Sequence, residues 1–109
     1  MFNVSELEFK EHVSIEVIRK FDSELNAIQK RYVLDWLNAE IESHYTRSMP
    51  TELFNAYCKM SDKAKTQLWE MFGNQSKALA DILENKGIDF FEQLFVNARH
   101  FAERRYCNA

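Results

Sequence analysis

Three observations predict an all-α fold for this chain of 109 residues. It carries two glycines and one proline, too few for the turns that a sheet protein places between its strands. From Ser23 to Tyr45 apolar residues recur at steps of three and four, through Leu25, Ile28, Tyr32, Val33, Trp36, Leu37, Ile41 and Tyr45, which lays one stripe along a helix. Side chains that cap helix starts stand ahead of several other apolar runs. Together they predict one domain, a bundle of five or six helices around a long central helix over residues 23–46.

Residues 1–22 read as an acidic N-terminal helical segment. Ser5 followed by Glu8 matches a capping box that opens a helix through Leu7, Phe9 and Val13. Ser14 either caps a new turn or lies inside a continuous helix, because Ile15, Ile18, Phe21, Leu25 and Ile28 keep helical spacing into the central rod. If the chain breaks there, Asp22 and Ser23 are the expected place, since their side chains accept backbone N–H groups. Along the rod, Asn26, Gln29, Lys30, Arg31, Asp35, Asn38, Glu40 and Glu42 give the opposite face to water.

Pro50 disfavours helical geometry in Met49 and closes the rod shortly after Tyr45. It fits the first turn of the next helix, over 50–60, which carries Leu53, Phe54, Tyr57 and Met60 with Ser48 or Thr51 as cap. Ser61 caps a helix over 61–72 with Ala64, Leu68, Met71 and Phe72, ending at Gly73. A helix over 75–86 holds Ala78, Leu79, Ile82 and Leu83 and stops at Gly87, where Ile88 is placed to reach back to Leu83 in a Schellman cap. Asp89 and Glu92 then cap a closing helix over 89–106, whose stripe runs through Phe91, Leu94, Phe95, Ala98, Phe101, Ala102 and Arg105.

Composition narrows the function classes. Hydrophobic content of 46% with 28% charged residues excludes a disordered chain. No run of 18 apolar residues and no leader-like start is present, so a cytoplasmic location is expected. Cys58 and Cys107 lie in no C-x-x-C spacing and read as free thiols. The net charge of −3 is set by the first 24 residues, where six acids oppose three bases; beyond them eleven acids balance eleven bases. That balance gives no basic footprint of the kind duplex binding needs.

Motif by motif, the chemistry is sparse. Leu68, Phe72, Gly73, Leu79 and Ile82 sit where a helix-turn-helix wants apolar residues and a turn glycine. Trp69 stands where that unit wants a small residue, however, Asn74 where it wants a core residue, and the second helix offers Asp81 and Glu84 beside its single Lys77. Arg99, His100, Arg104 and Arg105 make the last turns basic, which suits an acidic partner or the helix dipole itself. His12, His44 and His100 fall on separate elements; Glu40 with His44 and His100 with Glu103 read as surface ion pairs, so no metal and no cofactor is expected. Gly73 and Gly87 stand alone, without a phosphate-cradling loop, and no enzyme is expected.

The remaining signal is aromatic content, 14% of residues. Phe2, Phe54, Tyr57, Trp69, Phe90 and Tyr106 compete with the main stripes for one small core, and rings left at a surface are what anchor protein interfaces. The expected function is a non-catalytic protein-interaction module: a small intracellular regulator, adaptor or inhibitor, acting alone or as a homodimer. Its expected contact residues are Phe54, Tyr57, Trp69, Phe90, Tyr106, Arg99, Arg104 and Arg105. The second reading is a nucleic-acid-binding transcriptional regulator using a degenerate helix-turn-helix at 61–86; a carrier of an apolar ligand among the phenylalanines is a third, resting on composition alone.

Overall fold

Five of the helices described below begin where a side chain accepts from a free N–H group of the first turn. A computed structural model describes residues 3–72 and 74–106, and the side chains of these except residues 72 and 102–106. Ser5 Oγ accepts from the Glu8 N–H at 3.1 Å while the Glu8 carboxylate accepts from the Ser5 N–H at 3.4 Å, opening α1 (Glu6–Glu11). Ser14 caps α2 (Ile15–Glu24) by accepting from the Val17 N–H. Asn26 and Gln29 form a second reciprocal box, both bonds 2.9 Å, at the start of the long central helix α3 (Ala27–Thr46). Then follow α4 (Thr51–Cys58), α5 (Asp62–Phe72), α6 (Gln75–Leu83) and α7 (Ile88–Tyr106). Ser61 caps α5 through the Ala64 N–H, and Asn74 caps α6 through the Lys77 N–H.

The all-α bundle around one long helix is therefore what the chain forms, with seven helices among the described residues. The sequence reading needs correcting at several boundaries. The acidic segment is two helices, and the break before the rod falls at Leu25 and Asn26, not at Asp22 and Ser23. Leu25 has extended backbone (φ −117°, ψ 134°) but stays buried, whereas Ile28, the next residue of the expected stripe, is exposed, and full burial resumes at Val33. Pro50 occupies the cap position of α4 itself, and neither Ser48 nor Thr51 caps it. The Schellman expectation at Gly87 fails: α6 ends at Leu83, no glycine among the described residues has positive φ, and the Gly87 carbonyl instead accepts from the Phe90 N–H at the start of α7. Asp89 consequently lies inside the first turn of α7, where its charge complements the positive end of the helix dipole from inside the helix and not from the cap position. The expected turn at Gly73 lies outside the described residues.

The core is apolar throughout; among the described residues no polar or charged residue is buried. Val33, Leu37 and Ile41 on α3 are fully buried at successive four-residue steps and meet Leu79 and Leu83 of α6 and Leu94 and Phe95 of α7. The closest backbone packing is that of α3 on α7 and α6, and of α2 on α7. A run of rings ties in the N-terminal helices: Phe9 lies 4.9 Å from Phe21 and 6.3 Å from Phe91, and Phe21 6.0 Å from Phe95. Burying each contributes about 1.5–3 kcal/mol.

At six residues, α1 is too short to persist alone. It is held by Phe9 and by bonds to distant elements: the Val4 N–H donates to Asn38 Oδ1 at 2.9 Å, and Gln75 Nε2 donates to the Glu8 carboxylate. At the surface Asp22 accepts from Lys10 at 2.9 Å and from Lys30 at 3.4 Å, linking α1, α2 and α3. The hydrogen bond from Lys10 holds the Asp22 carboxyl below the usual carboxylate range against its desolvation.

Candidate partner-binding groove

Only three residues separate α4 from α5, yet these helices do not close on one another or on the bundle as α3, α6 and α7 do. A trio of rings attaches them to the end of α3. Tyr45, in the last turn of α3, stacks on Trp69 of α5 at 5.1 Å with planes 26° apart. Trp69 Nε1–H donates to the Tyr57 hydroxyl of α4 at 3.0 Å, the two rings meeting at 60°. The Tyr45 hydroxyl also clamps the start of α6, donating to the Asn74 carbonyl at 2.6 Å and accepting from the Asn74 N–H at 2.7 Å. Burial, reinforced by the Glu42 carboxylate beside it, pushes the Tyr57 phenol up to about 12, so it stays protonated as acceptor for Trp69.

Two of these rings, Tyr57 and Trp69, are the floor of a groove. Between α4 and α5 an open cavity of about 380 Å³ is walled by Leu53, Ala56 and Met60 on one side and Leu68 on the other, with Met49 at its end and Tyr57 and Trp69 beneath. No polar group is exposed along its walls. Leu53 in its wall is 54% exposed, and Phe54 beside it in the chain 41%. Phe54 lines a second hollow of about 370 Å³ on the other flank of α4, with Met49, Thr51 and residues from the end of α3.

A polar trench lies on another face. Trp36, Glu40, His44 and Arg47 line it from α3, opposite Asp81, Lys86 and Phe90, around about 270 Å³. His44 Nε2 approaches Asp81 at 3.8 Å, which corrects the expected pairing with Glu40. Phe90 packs 5.6 Å from Trp36 with the Lys86 ammonium 4.8 Å over its ring. Among the described residues no three His, Cys, Asp or Glu side chains converge as a metal shell would.

The expected contact residues thus divide. Phe54 is exposed as anticipated. Tyr57 and Trp69 are buried, 3% and 7% exposed, and serve as the groove's floor instead of as free anchors. Phe90 is half-buried against Trp36, away from the groove. Arg99 faces Glu24 of α2 at 3.8 Å, so its charge is directed within the chain. The side chains of Arg104, Arg105 and Tyr106, with Phe2 and Cys107, lie outside the described residues. Sequence reasoning missed Leu53, Met49, Ala56, Met60 and Leu68 as a surface because their helical spacing is also that of a core stripe. Cys58 is an exposed free thiol on α4. No helix among the described residues is long and apolar enough to cross a membrane. No protein-family model, curated protein or solved structure matches the chain.

Proposed function

We propose that this protein is a non-catalytic interaction module, a small intracellular regulator, adaptor or inhibitor that receives the apolar face of a helix in the groove between α4 and α5. The groove itself carries this reading: an open, apolar channel next to a bundle whose own core cluster does not include its walls. A helix laid in such a channel presents anchors at i, i+3 or i+4, and i+7. Methionines at positions 49 and 60 give walls that adapt to different anchors. The exposed thiol of Cys58 fits a reducing compartment.

The test is affinity capture of the tagged chain from a nuclease-treated lysate of its own source, repeated with Leu53→Glu and with a high-salt wash. A single protein retained near equal stoichiometry through the wash by the wild type, and lost with Leu53→Glu, supports the groove. Recovery that is indifferent to Leu53→Glu refutes it. Retention of nucleic acid that falls steeply with salt favours the helix-turn-helix reading instead.

A further inference from the structure

We infer that the helix this groove receives is α4 of a second copy of the chain, packed antiparallel about a two-fold axis near Ala56; the inference rests on the interaction reading above. A two-fold interface must be self-complementary, each copy supplying both the ridge and the hollow. The α4 region meets that demand. The helix stands as a ridge between two hollows of about 380 and 370 Å³, and Leu53 and Phe54 project beside them, each more than two-fifths exposed.

Charge fixes the direction of packing. Glu52 lies in the first turn of α4 and Lys59 at its C-cap, seven residues on, so both sit on one face about 10.5 Å apart. Both are exposed, and neither is paired among the described residues. Parallel α4 helices would set Glu52 against Glu52. Antiparallel packing sets Glu52 of each copy against Lys59 of the other, on the same rim of the groove, and places the small side chain of Ala56 at the crossing, where the backbones must come closest.

Sedimentation of the full chain over a wide concentration series tests this. The wild type is expected to reach twice the 13.0 kDa of one chain. Glu52→Lys and Lys59→Glu should each weaken association about tenfold by replacing two attractive contacts with repulsive ones, and the double reversal should restore it. All these side chains are exposed, so circular dichroism should show unchanged helix content. Ala56→Arg, at the crossing itself, should give a monomer at every concentration. A wild type that stays monomeric, or a dimer indifferent to the charge reversals, overturns the inference. A monomer that still captures a partner in a Leu53-dependent manner overturns this inference alone; a monomer that captures none overturns the interaction reading with it.

Discussion

Replacing Tyr45 with Phe removes one oxygen atom and two hydrogen bonds. The hydroxyl donates to the Asn74 carbonyl at 2.6 Å and accepts from the Asn74 N–H at 2.7 Å, tying the end of α3 to the cap of α6 across 29 residues. A net intramolecular hydrogen bond contributes about 0.5–1.5 kcal/mol. This site is open to solvent, so water recovers part of each lost bond and the pair should be worth about 1–2 kcal/mol. The stacking on Trp69 at 5.1 Å survives in Phe. In a domain of this size 1 kcal/mol lowers Tm by about 4–8 °C. Urea denaturation should show the midpoint falling with an unchanged slope, since the surface exposed on unfolding is the same. Tyr45→Ala should cost a further 0.5 kcal/mol or more, roughly, by deleting the stacked ring. A Tyr45→Phe midpoint indistinguishable from the wild type would show that this clamp does not hold α6 to α3.

Further predictions follow from single residues. Phe9→Ala, at a fully buried ring in contact with Phe21 and Phe91, should cost about 3–5 kcal/mol by denaturant titration. Gly87→Ala should stabilise by about 0.4–1 kcal/mol, because Gly87 does not use positive φ and a Cβ there meets nothing within 4 Å. The depressed Asp22 carboxyl contributes stability above its unfolded value of 3.8 and loses it as pH falls through the lower folded value; the stability gap between wild type and Asp22→Asn should close over that acid range. The Tyr57 phenol, raised from 10.0 to about 12, contributes stability that is complete below pH 10 and lost as pH rises toward 12, and Tyr57→Phe should flatten that alkaline decline in circular dichroism.

Local chemistry was legible in the sequence wherever the deciding partners lie within one turn. Ser5 with Glu8 and Ser61 cap as their spacing implies, and Ser14 takes the capping one of its two readings. Periodicity finds the buried Val33, Leu37 and Ile41 of α3 and Phe91, Leu94, Phe95 and Ala98 of α7, though it also placed the exposed Ile28 and Phe101 on those stripes. Asn26 with Gln29 carried the same capping signal, but Leu25 hid it by staying buried on the stripe while its backbone turned. Gly87 misled because a glycine after an apolar run suits a helix end as well as the start of the next, and only the tertiary path decides between them. The groove was the least legible feature. Whether Leu53, Met60 and Leu68 enter the core or line an open channel depends on how far α4 and α5 stand apart, and that is set by Tyr45, Tyr57 and Trp69 meeting over distances in sequence that no periodicity encodes. Arg99 shows the same limit for charge: its place among basic neighbours suggested an external partner, whereas Glu24 of a different helix faces it.

The interaction reading makes a claim about place, and amide hydrogen exchange of the captured complex against the free chain tests it most directly. The account predicts slowed exchange concentrated in Thr51–Cys58 and Asp62–Phe72, with α2 and the Arg99 end of α7 unchanged. Protection centred on α7, or on the exposed face of α6 that a helix-turn-helix would present, with α4 and α5 exchanging as in the free protein, would contradict it.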